Sequence, residues 1–253
     1  MFIHNINPTL LQLGVFEIRY YSLVYVLGFL LTWYILNKKK QELKLKKQEV
    51  ESFIALLILG VVIGSRLLEV LIWEPVYYLA NPLKIFAVWE GGMSLHGGII
   101  GIALVTYYFA KKHKLNIAKL ADILVLPGLF ALALGRIANF INAELVGTIT
   151  NIKCCVKFPN YEGCRHPVQL YGAAGRFLLL GYLLAIKKLK RFKDGFLFWN
   201  FILFMGIGRF IIDFLREDAR LLGLSLGQYL SLIMVIIACY VLFKYYRGNQ
   251  KSQ

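Results

Sequence analysis

Charged residues are scarce in this sequence, and acidic residues are the scarcest. The 253 residues include 14 Asp and Glu against 29 Lys and Arg, and charged residues make up 17% of the chain, where about a quarter is usual. Hydrophobic residues reach 58%, above the roughly 45–50% of an ordinary soluble domain. This balance excludes a disordered chain and argues against a soluble enzyme.

Cysteine is also rare, and its spacing excludes the common metal sites. The four cysteines make no CxxC pair and no zinc-binding spacing. Three of them (Cys154, Cys155 and Cys164) fall in one polar loop. One disulfide with one thiol left over can form there, or all three are incidental loop residues.

The chain lacks several features of other protein classes. Residues 1–19 hold one Arg and no basic n-region, so we expect no cleavable signal peptide. No internal repeat, low-complexity tract or soluble domain is evident, and residues 1–253 are predicted to form a single transmembrane domain.

Apolar runs long enough to cross a bilayer, about 20 residues each, recur along the chain. They predict an all-α, polytopic integral membrane protein of about seven transmembrane helices. The predicted spans are roughly 18–36, 53–72, 97–110, 118–140, 168–186, 196–215 and 227–243.

The basic residues alternate between the two sides of these spans. Eighteen fall in the connections on one side, seven on the other, and four lie within spans. Because they cluster between apolar runs, a membrane role is favoured over nucleic-acid binding. The positive-inside rule then places the N-terminus outside and the C-terminus in the cytoplasm. An arm at about 73–95 and a loop at about 143–167 fall on the outer side.

Polar residues within spans are costly, about 2.5–3.5 kcal/mol per charge on insertion scales, so each needs a reason. Arg66 and Glu69 are three residues apart on one helical face, and we expect them to pair. For this pair, a structural role in the bundle is at least as well supported as a substrate role.

A glycine-rich stretch, GGMSLHGG at 91–98, precedes the third span. It places His96 near a helix N-terminus, where free N–H groups favour anions. A lone histidine usually has a packing role, but a neutral imidazole at this position could act as a base or donate to a phosphate.

Two further rows of polar residues lie near outer helix ends. Arg136, Asn139 and Asn142 recur along one side of the fourth span, and Arg209, Asp213 and Arg216 form a stripe at the end of the sixth. The alternative for the second row is a self-contained ion pair. The string RHP at 165–167 opens the fifth span on the same side. Arginine, histidine, asparagine and a carboxylate in one leaflet suit an anionic lipid head group, whose phosphate the arginines would stabilise.

Three strings together carry a family resemblance: GGMSLHGG at 91–98, GRIANFINAELVG at 135–147 and RHPVQLY at 165–171. In this combination and order the chain resembles the phosphatidylglycerol–prolipoprotein diacylglyceryl transferases, bacterial enzymes that open lipoprotein maturation. The string RYYSLVY at 19–25 and the Arg209/Asp213 helix also match, so the resemblance covers about residues 18–243.

The resemblance implies a reaction without metal or organic cofactor. Phosphatidylglycerol donates its diacylglyceryl group to the lipobox cysteine thiol of a preprolipoprotein signal peptide, a thioether forms and glycerol phosphate leaves. It also implies a multi-pass protein of the bacterial inner membrane, with its active site toward the periplasm. The expected partners are membrane lipid and the preprolipoprotein, with no nucleic acid.

Site residues are carried over one at a time. His96 matches the essential histidine and is a candidate base for the thiol, with Arg-linked carboxylates as the alternative. Arg136 and Arg209 match arginines at the lipid phosphate, and Tyr21 matches a functionally important tyrosine. The expected substrate-binding residues are Arg136, Asn139, Asn142, Glu144, Gly147, Asp213 and His166.

The sequence departs from the family pattern at a few positions. Asp213 stands where the family often has glutamate, and a shorter acid should still pair with Arg209. Gly172 stands where a glutamate is common, and Val146 where an aromatic residue is frequent.

Two other function classes fit some of the same features. A transporter or flippase for an anionic lipid or organic anion would also carry buried arginines and broken helices, but it predicts an inverted repeat. A structural membrane subunit predicts that Arg136→Ala lowers the folded yield, whereas an enzyme predicts normal yield with activity lost.

Overall fold

The computed structural model describes residues 1–13, 16–189 and 192–247, and the described chain is mainly helical. Its α-helices are α1 (Tyr20–Lys39), α2 (Lys47–Leu68), α3 (Pro75–Ala80), α4 (Leu95–Lys112), α5 (Ile117–Ile141), α6 (Val168–Lys188), α7 (Phe196–Ile212) and α8 (Leu226–Tyr246). The strands are short: β1 (Phe2–Ile3), β2 (Thr9–Leu13), β3 (Phe16–Arg19), β4 (Val156–Lys157), β5 (Arg220–Leu221) and β6 (Leu224–Ser225).

The strands of the described chain form three two-stranded pairs. β1 runs parallel to β4, with Phe2 opposite Val156. β2 and β3 are antiparallel, as are β5 and β6, in which Arg220 lies opposite Ser225. Each strand has two to five residues, and helices make up most of the described chain, so the all-α prediction is confirmed.

Six helices of the described chain are long and apolar enough to cross a membrane. They correspond to the predicted spans other than the third, which lies within α4. A polytopic membrane protein is therefore confirmed, while the count of seven spans and their orientation stay predictions. The spanning helices are Tyr20–Lys39, Lys47–Trp73, Ile117–Ile141, Val168–Lys188, Phe196–Leu215 and Leu226–Tyr246.

The chain divides into two compact units, one of residues 31–120 and one of residues 1–30 with 121–253. In the 31–120 unit, α2 packs against α4 through glycines on both helices. A Cβ on Gly64 or Gly97 would collide with the backbone carbonyl of the other residue, and one on Gly101 would collide with that of Gly60. Both helices carry a GxxxG spacing, which allows such close backbone approach.

The predicted outer arm is a series of short turns in the same unit. A π-helical turn at Glu69–Trp73 leads into α3, and 3-10 turns follow at Pro82–Phe86 and Val88–Glu90. Gly91 and Gly92 then reverse the chain with positive φ angles of 92° and 67°, a conformation that glycine adopts at no steric cost. Large apolar side chains are exposed along this arm: Val76, Leu79, Leu83, Phe86 and Trp89.

The core of the larger unit lies between α5, α6 and α7, and α8 packs against α7. Asp122 on α5 fixes the start of α7, because its carboxylate accepts the backbone N–H groups of Gly195 at 2.7 Å and Phe198 at 2.8 Å. Backbone N–H groups at the start of a helix have no acceptor within the helix, and Asp122 supplies one. The buried core side chains are Val125, Leu126, Leu129, Leu179, Leu183 and Leu197.

The loop after α5 connects the end of that helix to the end of α7. The Thr148 N–H donates to the Leu215 carbonyl at 2.8 Å, and the buried Arg165 guanidinium donates to the Gly147 carbonyl at 3.0 Å and pairs with Glu217 at 2.9 Å. These contacts hold the helix ends that carry Arg136 and Arg209 near each other.

The same loop contains a disulfide between Cys155 and Cys164, with Cα atoms 5.5 Å apart. Cys154 is free and exposed. The pairing left open by the sequence is thereby decided, with one thiol of the three left over.

Candidate functional site

A cavity of about 540 Å³ opens between α5, α6 and α7 in the larger unit. Four arginines line it, one from α5, one from α6 and two from the end of α7 and the turn that follows. Asp213 is the one carboxylate among the described lining residues. The arginines are Arg136, Arg176, Arg209 and Arg216.

The Arg209 guanidinium is held in place by Asp213, as the sequence predicted. Its Nε donates to Asp213 Oδ2 at 3.2 Å, and the carboxylate is 1% exposed whereas the arginine side chain is 37% exposed. Ser225 Oγ donates to the same carboxylate oxygen at 3.3 Å. The Gly227 backbone closes over the pair, since a Cβ there would collide with Asp213 Oδ2 and come within 2.9 Å of Arg209 Nη2.

Arg136 reaches the cavity from α5 without a fixed partner. Within the described residues, no hydrogen bond or ion pair holds its guanidinium. It interacts electrostatically with the like charges of Arg209 and Arg216, with Tyr21 of α1, and with Asp213, which already pairs with Arg209. A half-buried guanidinium among like charges is poised for an anion. Three of the predicted site residues, Arg136, Arg209 and Asp213, thus share one cavity.

Arg176 lies in the same cavity, and the sequence analysis did not select it. Its Nη1 donates to the Gly172 carbonyl one turn back at 2.8 Å. Its Nε is buried and has no hydrogen-bond partner among the residues that the structure describes. The available signal was an arginine in a spanning helix that contains no acidic residue, which marks a functional candidate.

The two asparagines of the row predicted on the fourth span form a hydrogen-bonded cluster around Glu144. Asn139 Nδ2 donates to Glu144 Oε2 at 3.1 Å, and Asn142 Nδ2 donates to Oε1 at 3.0 Å. The fully buried Gln169 donates to the Glu144 backbone carbonyl at 2.6 Å. The carboxylate is thus oriented by two neutral amides, and its residue stays exposed.

Gly147 and His166 lie together beside this cluster. The Gly147 N–H donates to the His166 carbonyl at 3.2 Å, and a Cβ on Gly147 would stand 2.6 Å from that oxygen. The His166 ring lies with Nδ1 3.4 Å from the Tyr171 hydroxyl. Gly147 is therefore needed for close backbone approach, and any residue with a side chain would push the loop from α6.

His96 belongs to the 31–120 unit and is the second residue of α4. It follows the cap residue Ser94 and is exposed. Its predicted place at a helix start is confirmed, while its role as a base stays a prediction.

The expected Arg66–Glu69 ion pair is wrong. Arg66 is buried, and its guanidinium donates instead to backbone carbonyls of the outer arm, among them Ile85 at 2.8 Å and Gly91 at 2.5 Å. Further acceptors are the carbonyls of Lys84, Ala87 and Gly92. Carbonyls from residues far along the chain satisfy the charge, so the neighbouring carboxylate is not needed.

A second cavity of about 670 Å³ lies beside Arg66 within the same unit, lined by Glu69, Glu74, Tyr77 and Lys84 among others. Lys84 pairs there with Glu90 at 2.5 Å, and this contact raises the pKa of Lys84. Within residues 1–13, 16–189 and 192–247, no group of three or more His, Cys, Asp or Glu side chains could hold a metal ion.

The arginine-lined cavity combines an excess of positive charge with apolar walls. Anions with an apolar portion match both properties, because the guanidiniums offer charge-assisted hydrogen bonds and the walls bury hydrocarbon.

Comparison with known proteins identifies such a substrate class. The family described as Prolipoprotein diacylglyceryl transferase matches residues 8–244. A phosphatidylglycerol–prolipoprotein diacylglyceryl transferase of Geobacter sulfurreducens is 41% identical, with 92% of this chain and 93% of the relative covered. Proteins of the same name are 38% identical in Rickettsia bellii, covering 95% of both chains, and 40% identical in Rickettsia typhi, covering 96% of this chain and 98% of the relative.

Proposed function

Because the chain belongs to the prolipoprotein diacylglyceryl transferase family, we propose that it transfers the diacylglyceryl group of phosphatidylglycerol to a prolipoprotein, the first step of lipoprotein maturation. The observation that carries this assignment for the site is the cavity in which Arg136 and Arg209 meet at the ends of separate spanning helices. The acceptor is the thiol of the lipobox cysteine in the signal peptide.

The arginines are proposed to bind the lipid phosphate. Arg136 has no fixed partner within the described chain. Arg209 lines the same cavity, and Asp213 takes only its Nε, so its terminal guanidinium nitrogens make no hydrogen bond within the described chain. Both can therefore donate to phosphate oxygens, and the apolar lining residues would hold the first carbons of the acyl chains.

The reaction exchanges one bond for another at the glycerol carbon that carries the phosphate. The thiol loses its proton, its sulfur forms the thioether bond, and the carbon–oxygen bond breaks so that glycerol phosphate leaves with the electron pair. His96 is the proposed base for the thiol, since a neutral imidazole can accept a proton. Tyr21, within electrostatic range of Arg136, is proposed to keep that guanidinium oriented toward the phosphate.

The remaining site residues are proposed to position the substrates. Asn139, Asn142 and Glu144 form one hydrogen-bonded cluster, whose carboxylate can accept from the head-group glycerol hydroxyls. Gly147 and His166 shape the loop beside that cluster.

The active site is proposed to face the periplasmic side of the bacterial inner membrane. The excess of basic residues in the connections on the opposite side supports this orientation. The Cys155–Cys164 disulfide supports it too, because disulfides persist in oxidising compartments such as the periplasm.

Purified protein, phosphatidylglycerol vesicles and a lipobox peptide provide the test. We expect the peptide to gain the mass of a diacylglyceryl group, and a peptide with the lipobox cysteine replaced by serine to gain none. No product in vesicles of confirmed composition, or equal product from the serine peptide, would refute the assignment.

Arg136→Gln separates an enzyme from a structural subunit. We expect a normal folded yield, because the arginine has no hydrogen-bond partner to lose among the described residues, with transfer lowered about 100-fold or more, as for a lost donor to a developing charge. Lys153→Gln, in the outer loop, is the matched control. Loss of folded protein with Arg136→Gln alone would favour the structural role.

A further inference from the structure

The charges around the arginine-lined cavity do not balance. Asp213 pairs with Arg209 at 3.2 Å, and Asp218 pairs with Arg216 at 3.0 Å. Within the described chain, neither Arg136 nor Arg176 forms an ion pair. Two guanidiniums are thus left without a counter-charge inside spanning helices, where an unpaired charge is costly.

Phosphatidylglycerol neutralises one of these two charges, because its phosphodiester carries a single negative charge. The leaving group differs. As the carbon–oxygen bond breaks, the phosphodiester becomes a phosphate monoester, whose charge at pH 7 is about −1.5 to −2. The cavity therefore matches the departing glycerol phosphate better than it matches the bound lipid.

The geometry places Arg176 to receive that charge. Its Nη1 is tied to the Gly172 carbonyl at 2.8 Å, which draws the guanidinium back along α6 to the level of Arg136. A Cβ built on Gly172 would lie 3.5 Å from Arg136 Cγ and 2.9 Å from Arg176 Nη1. The buried Nε of Arg176 has no hydrogen-bond partner within the described chain, and Arg176 lines the cavity, so this guanidinium has a donor left to satisfy.

We propose that Arg176, with the space left by Gly172, forms a leaving-group subsite that binds the phosphate monoester of the departing glycerol phosphate. This inference rests on the proposed transferase function and adds a residue to it. Arg136 and Arg209 bind the phosphodiester of the substrate, and Arg176 supplies the additional positive charge as the second negative charge develops. An interaction that strengthens in the transition state raises kcat rather than ground-state affinity.

The first test is the kinetics of Arg176→Gln in the vesicle assay. We expect kcat to fall about 10-fold to 100-fold while KM for phosphatidylglycerol changes less than about threefold. Unchanged kcat would overturn the proposal, and so would a rise in KM with kcat unchanged, since that pattern denotes binding of the substrate itself.

The second test uses glycerol 1-phosphate as the probe, measured by calorimetry on the full protein in detergent. We expect its affinity to rise as pH increases through about 6, where the monoester gains its second charge, and this rise to disappear in Arg176→Gln. Arg176→Lys retains the charge and should retain the pH dependence. A merely structural role for Arg176 would leave the pH profile unchanged, which would overturn the proposal.

Gly172→Ala tests the geometry without altering charge. Its Cβ should displace the Arg176 guanidinium and lower kcat about 3-fold to 10-fold, because small misplacements are costly at reacting groups. Gly181→Ala on the same helix is the control, since a Cβ there has no heavy atom of the described chain within 4 Å. Equal kcat for both alanine variants would overturn the subsite.

The two assays distinguish this inference from the proposed function. Transfer by the wild type with no effect of Arg176→Gln in either assay overturns the subsite and leaves the transferase. Binding of glycerol 1-phosphate that depends on pH and needs Arg176, without any transfer by the wild type, supports a phosphate-monoester site at Arg176 but refutes the transferase.

Discussion

Replacing Asp213 by asparagine tests how the site holds Arg209. The change preserves size and leaves an oxygen that can accept from Ser225, but it removes the charge that faces Arg209 Nε at 3.2 Å. Since Asp213 is 1% exposed, neither water nor another carboxylate among the described cavity residues can replace it.

The magnitude follows from the distance and the exposure of the two groups. Two unit charges at this separation attract by about 5 kcal/mol at an effective dielectric constant of about 20. The Arg209 side chain is 37% exposed, so solvent screens part of this energy. We therefore expect Asp213→Asn to lower the free energy of unfolding by about 2–3 kcal/mol. Breaking a fully buried ion pair costs roughly 3–5 kcal/mol, and the exposure of Arg209 places this pair at or below the lower end of that range.

The assays are denaturant titration in detergent micelles and transfer in vesicles. Beyond the loss of stability, an Arg209 guanidinium without its anchor should lower transfer about 10-fold or more, because its donors no longer point at the phosphate. Asp218→Asn is the matched control. Asp218 pairs with Arg216 at 3.0 Å, but its side chain is 33% exposed, so we expect a change of about 1 kcal/mol or less and transfer within about twofold.

Comparing the two variants tests whether burial sets the strength of the Arg209 pair and whether Arg209 needs that pair to act. Equal losses of stability for Asp213→Asn and Asp218→Asn would mean that burial does not set the strength of the Arg209 pair. Unchanged transfer by a folded Asp213→Asn protein would mean that Arg209 needs no carboxylate to act.

Three further perturbations test the fold. Gly64→Ala should destabilise the protein by about 1–3 kcal/mol through overpacking at the α2–α4 crossing. Gly128→Ala should not, because a Cβ there has no heavy atom of the described chain within 4 Å. Equal melting temperatures for the two variants would contradict the close approach of α2 and α4. Hydrogen bonds from Lys side chains, that of Lys39 foremost, lower the pKa of Glu42 from 4.5 to about 2. The ionised form of Glu42 therefore stabilises the fold above about pH 4.5, and this contribution is lost as pH falls toward 2. The stability difference between wild type and Glu42→Gln should be small, because the Glu42 side chain is 45% exposed, and it should shrink over that pH range. A difference that stays constant with pH would refute the assignment. Replacing both Cys155 and Cys164 by serine should cost about 2–3 kcal/mol, the value for a closed loop of about ten residues, and an unchanged denaturation midpoint would show that the crosslink does not constrain the unfolded chain.

Features that depend on neighbours along the chain could be predicted from the sequence. Hydrophobic runs indicated the spanning segments because crossing a bilayer requires about 20 apolar residues wherever they lie in the fold. The Arg209–Asp213 pair could be predicted for a similar reason, since residues four apart on a helix lie side by side. The start of α4 near His96 was likewise predicted, because the glycine-rich stretch before it marks a turn.

Other pairings needed the folded chain. The Arg66–Glu69 prediction failed because the acceptors that satisfy Arg66 are carbonyls of residues 84–92, which reach it only after the arm folds back. Likewise, the spacing of three nearby cysteines could not decide which two would bond, whereas the loop structure brings Cys155 and Cys164 together.

The sequence by itself determined a helical membrane protein, its basic asymmetry and a family resemblance that pointed to an anionic lipid, because hydropathy and charge act wherever residues stand. Only the tertiary structure decided that Arg176 joins Arg136 and Arg209 around one cavity. No local pattern reveals this, since the charge balance of a cavity is a sum over side chains from separate helices, and packing alone determines which of them meet.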